Sequence, residues 1–129
     1  DIGIEKVQEI INSSSSVLDK LSSAITAHIN ITINDLALCS TIDHPEEKFS
    51  GHYLDGIIAM RSEYEKYFDQ IIKEGIDNGE FREVDVKFYR LLIFGAMTQV
   101  QQWYCKEGDK TKDEIAEVFS EYLLRIAKP

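Results

Sequence analysis

Polar side chains interrupt three otherwise apolar helical stripes of this 129-residue sequence. His28 lies in the first stripe and Arg61 lies in the second. Gln99, Gln101 and Gln102 interrupt the third. A polar group that is buried without a hydrogen-bond partner costs roughly 1–3 kcal/mol, so each of these groups needs a partner inside the fold or on a bound molecule. The chemistry that this pattern predicts is recognition by charge and hydrogen bonds, rather than the making or breaking of bonds.

Two interpretations of these polar groups are open. In the first the partners are internal, since Arg61 can pair with Glu65 one helical turn later and His28 can donate to a backbone carbonyl. For each residue considered singly, this structural interpretation is favoured. Considered together, the groups favour a ligand pocket, because ligand sites combine apolar walls with a few convergent polar groups. The residues predicted to form the pocket are Ile25, His28, Ile29, Thr32, Ile57, Met60, Arg61, Tyr64, Phe94, Met97 and Gln101.

Signatures of catalysis and of metal or cofactor binding are absent from the sequence. No G-x-S-x-G, P-loop or G-x-G-x-x-G motif occurs. A di-iron site in a helical bundle needs Glu-x-x-His pairs, and none of His28, His44 and His52 has a Glu three residues before it. We therefore expect no enzyme activity, no cofactor and no metal site, and a small helical enzyme is the least favoured hypothesis.

The composition is that of an acidic chain, long enough for one domain with a real core. The formal net charge is −9 at pH 7, and such a surface repels phosphate backbones, so this segment by itself should not bind nucleic acid. No long apolar run predicts a membrane span, and no leader indicates secretion. Cys39 and Cys105 lack the CxxC spacing and are expected to be reduced thiols in a cytoplasmic protein.

The hydrophobic periodicity predicts an all-α fold, a multi-helix bundle with long antiparallel helices. A short stripe over residues 2–12 precedes the serine tract 13–16. This tract ends the first helix and offers Ser16 as the N-cap of a long helix that ends near Thr41. The segment 29–33 is β-branched, but its neighbours keep the helical period, so we expect helix there as well.

The second long helix and the last helix have clear boundary signals. The segment 43–47 contains a proline and acidic residues, as is typical of a helix start. Ser50-Gly51 offers an interruption, and Gly79 suits the left-handed position just after the end of that helix. Thr111 with Glu114 predicts a capping box at the start of the last helix.

The stretch 88–104 is apolar or uncharged almost all round, with Arg90 as its single charge, and we expect it to be the central helix. Asp85 is its predicted N-cap, and Gly108 is its predicted end. One small domain covers only one or two faces of such a helix, so the remaining face is predicted to pair with a second copy of the chain, and Gly95 allows another helix to approach closely. The predicted homodimer interface comprises Leu92, Gly95, Ala96, Gln99, Trp103, Phe119, Tyr122, Leu123 and Ile126.

Several of these segments, taken in order, resemble a known family. The run 61–65 leads into 71–82, which ends in Gly-Glu-Phe-Arg, and Gly95-Ala96 and Trp103-Tyr104 follow. This order resembles the C-terminal domain of TetR-type transcriptional regulators, in the branch that includes repressors of fatty-acid and sterol catabolism. The resemblance covers residues 61–126, and the residues before them match only in helix placement.

The resemblance implies a homodimer that pairs through the last two helices, with a small effector held among the long helices of each subunit. The family's N-terminal helix-turn-helix would precede Asp1, so 1–129 would be the effector-binding and dimerisation domain of a longer protein, and 1–12 the end of the connecting helix. The implied effectors are lipophilic, acyl-coenzyme A thioesters among them, and DNA would be bound only through the missing head. The competing hypothesis is a free-standing helical adaptor that binds a partner protein and has no ligand pocket.

Overall fold

The computed structural model describes residues 2–13, 15–34, 51–104, 108 and 110–129, without the side chains of residues 2, 3, 34, 53, 57 and 101–103. None of the described residues forms a strand, so the prediction of an all-α fold is confirmed. The predicted helix end near Thr41, the predicted start at 43–47 and both cysteines lie outside the described residues. The described residues form the helices α1 (Ile2–Ile11), α2 (Val17–Asn34), α3 (Gly51–Asp77), α4 (Val86–Trp103) and α5 (Lys112–Ala127).

The helix at the centre of the bundle is α2, which contacts each of the other four helices. Its side chains Leu21, Ile25 and Ile29 are fully buried at helical spacing. The prediction that the stretch 88–104 would be the central helix is therefore wrong. In that stretch one apolar stripe is buried, while the opposite side stays exposed, because no element of the described chain packs over it. Among the helices described, none combines the length and the apolar character needed to cross a bilayer.

The helix starts follow the capping chemistry of the sequence. Ser16 Oγ accepts a hydrogen bond from the backbone N–H of Asp19 at the start of α2 (3.2 Å). Asp85 accepts from the N–H of Phe88 in the same way at the start of α4 (2.9 Å). At α5 the predicted capping box of Thr111 and Glu114 is present with both of its hydrogen bonds. These groups satisfy backbone donors that have no partner inside the helix.

The end of α3 is a turn that requires two glycines. Gly79 has a φ of +82°, a conformation that L side chains rarely adopt. Phe81 is buried beneath the end of the helix, and its N–H donates to the carbonyl of Gly75 (2.9 Å). A Cβ atom on Gly75 would lie within 2.7 Å of ring carbons of Phe81, so only glycine allows this close packing. The predicted closure of the helix at Gly79 is confirmed.

The same turn ties two distant helix ends together. The carboxylate of Glu80 accepts from the N–H of Val17, at 3.2 Å from each oxygen, and so caps the start of α2 with a negative charge. Arg82 donates from its backbone N–H to the carbonyl of Ala127 (2.8 Å) and from Nε to the carbonyl of Ile126 (2.7 Å). The Gly-Glu-Phe-Arg segment therefore fixes the start of α2 against the end of α5.

Candidate functional site

A partly buried pair of polar side chains joins α2 to α3. His28 Nδ1 lies 2.8 Å from the hydroxyl of Tyr64, which is hydrogen-bond distance. The two rings are stacked, with centroids 5.4 Å apart and an angle of 25° between their planes. The sequence placed both residues in the predicted pocket, and the structure brings them into direct contact.

Two phenylalanines complete a four-ring cluster around this pair. Phe94 of α4 lies 5.8 Å from His28 and 5.9 Å from Tyr64, measured between ring centroids. Phe68 meets Tyr64 edge-on at 5.3 Å and Phe94 edge-on at 4.9 Å. We call His28, Tyr64, Phe68 and Phe94 the aromatic box. Edge-on and offset arrangements of this kind are the favourable ones for aromatic rings, so the box is a well-packed unit.

The aliphatic residues predicted to line the pocket belong to the core next to the box. Ile25, Ile29 and Met97 are fully buried, and Thr32 is 1% exposed. Tyr64 and Phe94 are only partly buried and pack against the same core. The interior of the bundle at this point is thus largely apolar, with the His28–Tyr64 pair and the Thr32 hydroxyl as the polar groups among these residues. The side chains of Ile57 and Gln101 lie outside the described residues.

Burial determines the charge of the histidine. Removal from water lowers the pKa of His28 from its ordinary value of 6.5 to about 4, because desolvation disfavours the charged imidazolium. His28 is therefore neutral at pH 7. A neutral imidazole has one donor nitrogen and one acceptor nitrogen, and a tyrosine hydroxyl can both donate and accept.

The structure gives Arg61 the internal partner that the sequence allowed. Its Nε lies 3.9 Å from a carboxylate oxygen of Glu65, and its side chain is 41% exposed. Arg90 of α4 joins the same array, at 3.5 Å from Glu65 and 2.8 Å from Asp69. Met60 is 42% exposed on the surface of α3, outside the aromatic box, and its place in the pocket wall stays a prediction.

Phe68 is a site residue that the sequence analysis missed. The periodicity placed it in the apolar stripe of α3 without distinguishing it from its neighbours. The signal that could have found it is its spacing, one helical turn after Tyr64, which puts the two rings on one face of the helix. Phe68 is fully buried and contacts two other rings of the box.

The surface depressions of the described chain lie away from the box. One follows the exposed side of α3 between residues 66 and 78, and a second lies between α2 and the acidic side of α5. Neither is lined by a residue of the aromatic box. Phe68 is the fully buried ring of the box, while His28, Tyr64 and Phe94 are partly buried.

A second feature is an apolar face that no part of the described chain covers. Phe88 is 66% exposed, Leu92 is 52% exposed, and Tyr122 of α5 is 63% exposed. Space is open around the position where a Cβ would lie on Gly95. We call Phe88, Leu91, Leu92, Gly95, Gln99 and Tyr122 the uncovered face.

The predicted dimer residues divide between this face and the subunit's own core. Ala96, Phe119 and Ile126 are partly buried and pack against the core. Leu123 is only 7% exposed and its carbonyl accepts a hydrogen bond from the Tyr89 hydroxyl (2.7 Å), so in the single subunit it belongs to the core, and its place in the interface stays a prediction. The side chain of Trp103 lies outside the described residues.

A polar contact joins α1 to α3 beside the box. Gln8 Nε2 donates to the hydroxyl of Tyr67 (2.6 Å), and that hydroxyl donates to Glu63 (3.0 Å). Val7 and Ile10 of α1 are buried in the same core. Since Tyr67 follows Tyr64 by one turn, the contact to α1 and the box share one short segment of α3.

Comparison with known protein families decides the identity of the domain. The family of the tetracyclin repressor-like C-terminal domain matches residues 14–127. The chain belongs to this family. The resemblance to TetR-type regulators found in the sequence is thus confirmed, and it extends back from Arg61 to residue 14 and so includes α2.

Three solved TetR-type regulators have similar folds. The ketosteroid regulator KstR2 of Mycobacterium tuberculosis superposes with a TM-score of 0.89 at 18% identity, over 98% of this chain and 66% of that one. FadR of Bacillus subtilis, solved with stearoyl-coenzyme A, has a TM-score of 0.73 at 26% identity, over 95% and 67%. AibR, solved with isovaleryl-coenzyme A and operator DNA, has a TM-score of 0.79 at 17% identity, over 94% and 68%.

These matches separate the hypotheses drawn from the sequence. The chain spans about two thirds of each solved regulator. No curated protein is significantly similar to it in sequence. Because the TetR-like C-terminal domain is the ligand-sensing part of a transcriptional regulator, the regulator hypothesis is favoured over the free-standing adaptor. The matching family is named for a repressor, not for an enzyme.

Proposed function

We propose that this domain senses a small lipophilic effector in the aromatic box, dimerises through the uncovered face, and changes the DNA affinity of an N-terminal head through α1. The head and the DNA are those of the full-length regulator, which acts in the cytoplasm. The acidic charge of the domain is compatible with this division, since the basic DNA-binding surface belongs to the head.

One observation carries the proposal: a single turn of α3 contacts both the box and α1. Tyr64 reaches His28 inside the box (2.8 Å), and Tyr67 reaches Gln8 on α1 (2.6 Å). A molecule that separates the rings of the box displaces Tyr64, and the helical backbone passes that displacement to Tyr67. The position of α1 is thereby linked to the occupancy of the box.

The walls of the box support an apolar effector with few polar groups. Ile25, Ile29 and Met97 present only hydrocarbon and thioether surface. Acyl-coenzyme A thioesters fit this description, and FadR and AibR were each solved with one. The acyl portion occupies the space between α2, α3 and α4, while the coenzyme A portion stays outside the bundle.

The uncovered face supports a two-fold dimer. The face combines exposed Phe88, Leu92 and Tyr122 with Gly95, where a partner helix can approach closely. A two-fold axis sets the two heads at a fixed spacing, and reading two half-sites on DNA requires about 34 Å between them. A hundredfold loss of DNA affinity requires about 2.7 kcal/mol of difference in effector affinity between the two states.

Native mass spectrometry of the protein as isolated tests the sensing and dimer proposals together. We expect a mass of two chains and an additional small molecule, released on denaturation, in each subunit. For comparison, the spectrum is recorded again on protein that has been refolded without the molecule and then mixed with stearoyl-coenzyme A. A single chain that binds no small molecule before or after refolding would contradict the proposal.

The link to α1 is tested by removing one hydroxyl. Tyr67→Phe keeps the ring and loses the hydrogen bonds to Gln8 and Glu63. We expect stearoyl-coenzyme A to change the hydrogen-exchange rates of α1 amides in the unsubstituted protein and to change them several-fold less in Tyr67→Phe. Tyr104→Phe, which removes a hydroxyl at the end of α4, is the matched control. Equal effects on α1 in all three proteins would contradict the link.

A further inference from the structure

We propose that the His28–Tyr64 pair selects effectors that present an uncharged polar group to the box, such as a carbonyl or a hydroxyl, and rejects the ionised acid of the same carbon skeleton. This inference rests on the proposed sensing function and names the chemistry that the sensor distinguishes. It makes His28 and Tyr64 the residues that determine specificity.

The pair can bond to either kind of neutral group. His28 Nδ1 and the Tyr64 hydroxyl are 2.8 Å apart, so one of them donates to the other. Which of the two donates depends on the tautomer of the imidazole. When a ligand group enters, the pair can offer a donor to a carbonyl oxygen or an acceptor to a hydroxyl. This adaptability costs little, because no charge has to be created or moved.

The surroundings of the pair do not stabilise a negative charge. Phe68 and Phe94 form the rest of the box, and the core beside it is aliphatic. Burial lowers the pKa of His28 to about 4, so the ring is not a cation at pH 7. An ionised carboxylate placed here loses its hydration and gains no opposite charge.

The arginines that lie one helical turn before Tyr64 and before Phe94 already have acidic partners. On α3, Arg61 lies 3.9 Å from Glu65. On α4, Arg90 lies 3.5 Å from Glu65 and 2.8 Å from Asp69. Two arginines and two carboxylates make this array formally neutral. Withdrawing either arginine to serve a ligand anion would leave a carboxylate without its counter-charge, which opposes binding of the anion.

Titration of the protein with three ligands of equal chain length tests the inference: decanol, decanoyl-coenzyme A and decanoate. By calorimetry at about pH 7 we expect decanol and decanoyl-coenzyme A to bind at least about thirtyfold more tightly than decanoate. Only the protonated acid enters the box, so the apparent affinity for decanoate rises about tenfold for each pH unit lowered between about pH 8 and pH 6. The affinity for decanol stays constant over that range.

A variant assigns the binding of the neutral group to the pair. Tyr64→Phe keeps the ring and removes the hydroxyl, and we expect about tenfold weaker binding of decanol and a similar loss for decanoate, which enters as the neutral acid. Tyr104→Phe, as the matched control, leaves both affinities unchanged. The pH series on the unsubstituted protein remains decisive even if Tyr64→Phe folds poorly.

Three results would overturn the inference: decanoate binding as tightly as decanol, an affinity for decanoate that does not depend on pH, or no binding of any of the three ligands. Failure of the proposed function is a separate result. It is recorded by native mass spectrometry of the protein as isolated, which finds no bound molecule if the domain is not a sensor. A bound molecule that carries a buried carboxylate would support the sensing function but contradict the proposed selectivity for uncharged groups.

Discussion

The two sides of α4 differ in how completely residues of the same subunit cover them. On one side Ile93, Met97 and Val100 are fully buried, and Phe94 belongs to the aromatic box. On the opposite side Phe88 and Leu92 are more than half exposed. Both sides are apolar in sequence, so the composition alone does not separate them.

Both sides of α4 are hydrophobic. What separates their two proposed functions is how completely residues of the same subunit pack against each side. The inner side has its aromatic contacts, and the polar atoms of His28 and Tyr64 have each other. The outer side has large apolar surface and open space at Gly95, with nothing from its own subunit over it. In the proposed function, the inner side accepts a small molecule and the outer side accepts another helix.

The largest expected effect is a difference in stability between two phenylalanine substitutions. Phe68 of α3 packs against Phe94 on the inner side of α4, and Phe88 lies on the outer side. Both substitutions are made in a chain that carries Leu92→Arg, which places a charge on the uncovered face so that the single subunit is measured. Phe68→Ala removes a fully buried ring and should lower the free energy of unfolding by about 3–5 kcal/mol. Phe88→Ala removes an exposed ring and should change it by no more than about 0.5 kcal/mol. Urea unfolding measures both, and similar losses at the two positions would show that the sides are not distinct.

Much of the local structure was predictable, because it depends on residues close in sequence. The caps at Ser16, Asp85 and Thr111 each act over three residues, and Gly79 is required by the local backbone conformation. These features follow from side-chain chemistry and φ angles alone. The sequence therefore predicted the described helix starts at α2, α4 and α5 and the end of α3.

The long-range contacts were not predictable in the same way. Glu80 caps a helix that begins 63 residues earlier, and Arg82 bonds to a helix end 44 residues later. Periodicity shows which side of a helix is apolar, but not which neighbour covers it. For that reason the sequence pattern predicted α4 rather than α2 as the central helix.

The candidate site was predicted in part. A histidine within an apolar stripe signals that a buried polar partner exists, and Tyr64 was among the residues chosen with it. Arg61 carried the same signal, yet its side chain is 41% exposed and its partner lies on its own helix. The two cases look alike in sequence, and only the depth of burial separates them.

An intermediate effect is expected in the pH dependence of stability. The folded protein holds the pKa of His28 at about 4, below its ordinary 6.5. As the pH falls from 6.5 towards 4, the unfolded chain takes up a proton that the folded chain refuses, so the free energy of unfolding falls by up to about 1.4 kcal/mol per pH unit. Above pH 6.5 this contribution is constant.

The matched variants His28→Gln and His52→Gln isolate that contribution. His52 is exposed on α3, so its loss should leave the pH profile unchanged. His28→Gln should flatten the profile between pH 4 and 6.5 relative to the unsubstituted chain. Parallel profiles for the two variants would mean that the inner side of α4 does not keep His28 from water.

The smallest expected effect concerns Gly95 on the uncovered face. In the monomeric Leu92→Arg background, Gly95→Ala should raise the free energy of unfolding by about 0.5–1 kcal/mol, because alanine is the better helix former and the space there is open. In the dimeric chain the same change should weaken association, since the added methyl group keeps a partner helix away. Gly56→Ala, also in open space on α3, is the control that stabilises both forms alike. A gain of dimer affinity with Gly95→Ala would argue against close helix approach at this position.

The central claim is that one side of α4 binds the effector and the other side pairs with a second subunit. Sedimentation equilibrium of the unsubstituted chain and of the Leu92→Arg variant tests this claim most directly. The account predicts a dimer for the unsubstituted chain. It predicts a folded monomer for Leu92→Arg that still binds decanoyl-coenzyme A with unchanged affinity. A monomeric unsubstituted chain, or a Leu92→Arg chain that stays dimeric, would contradict it.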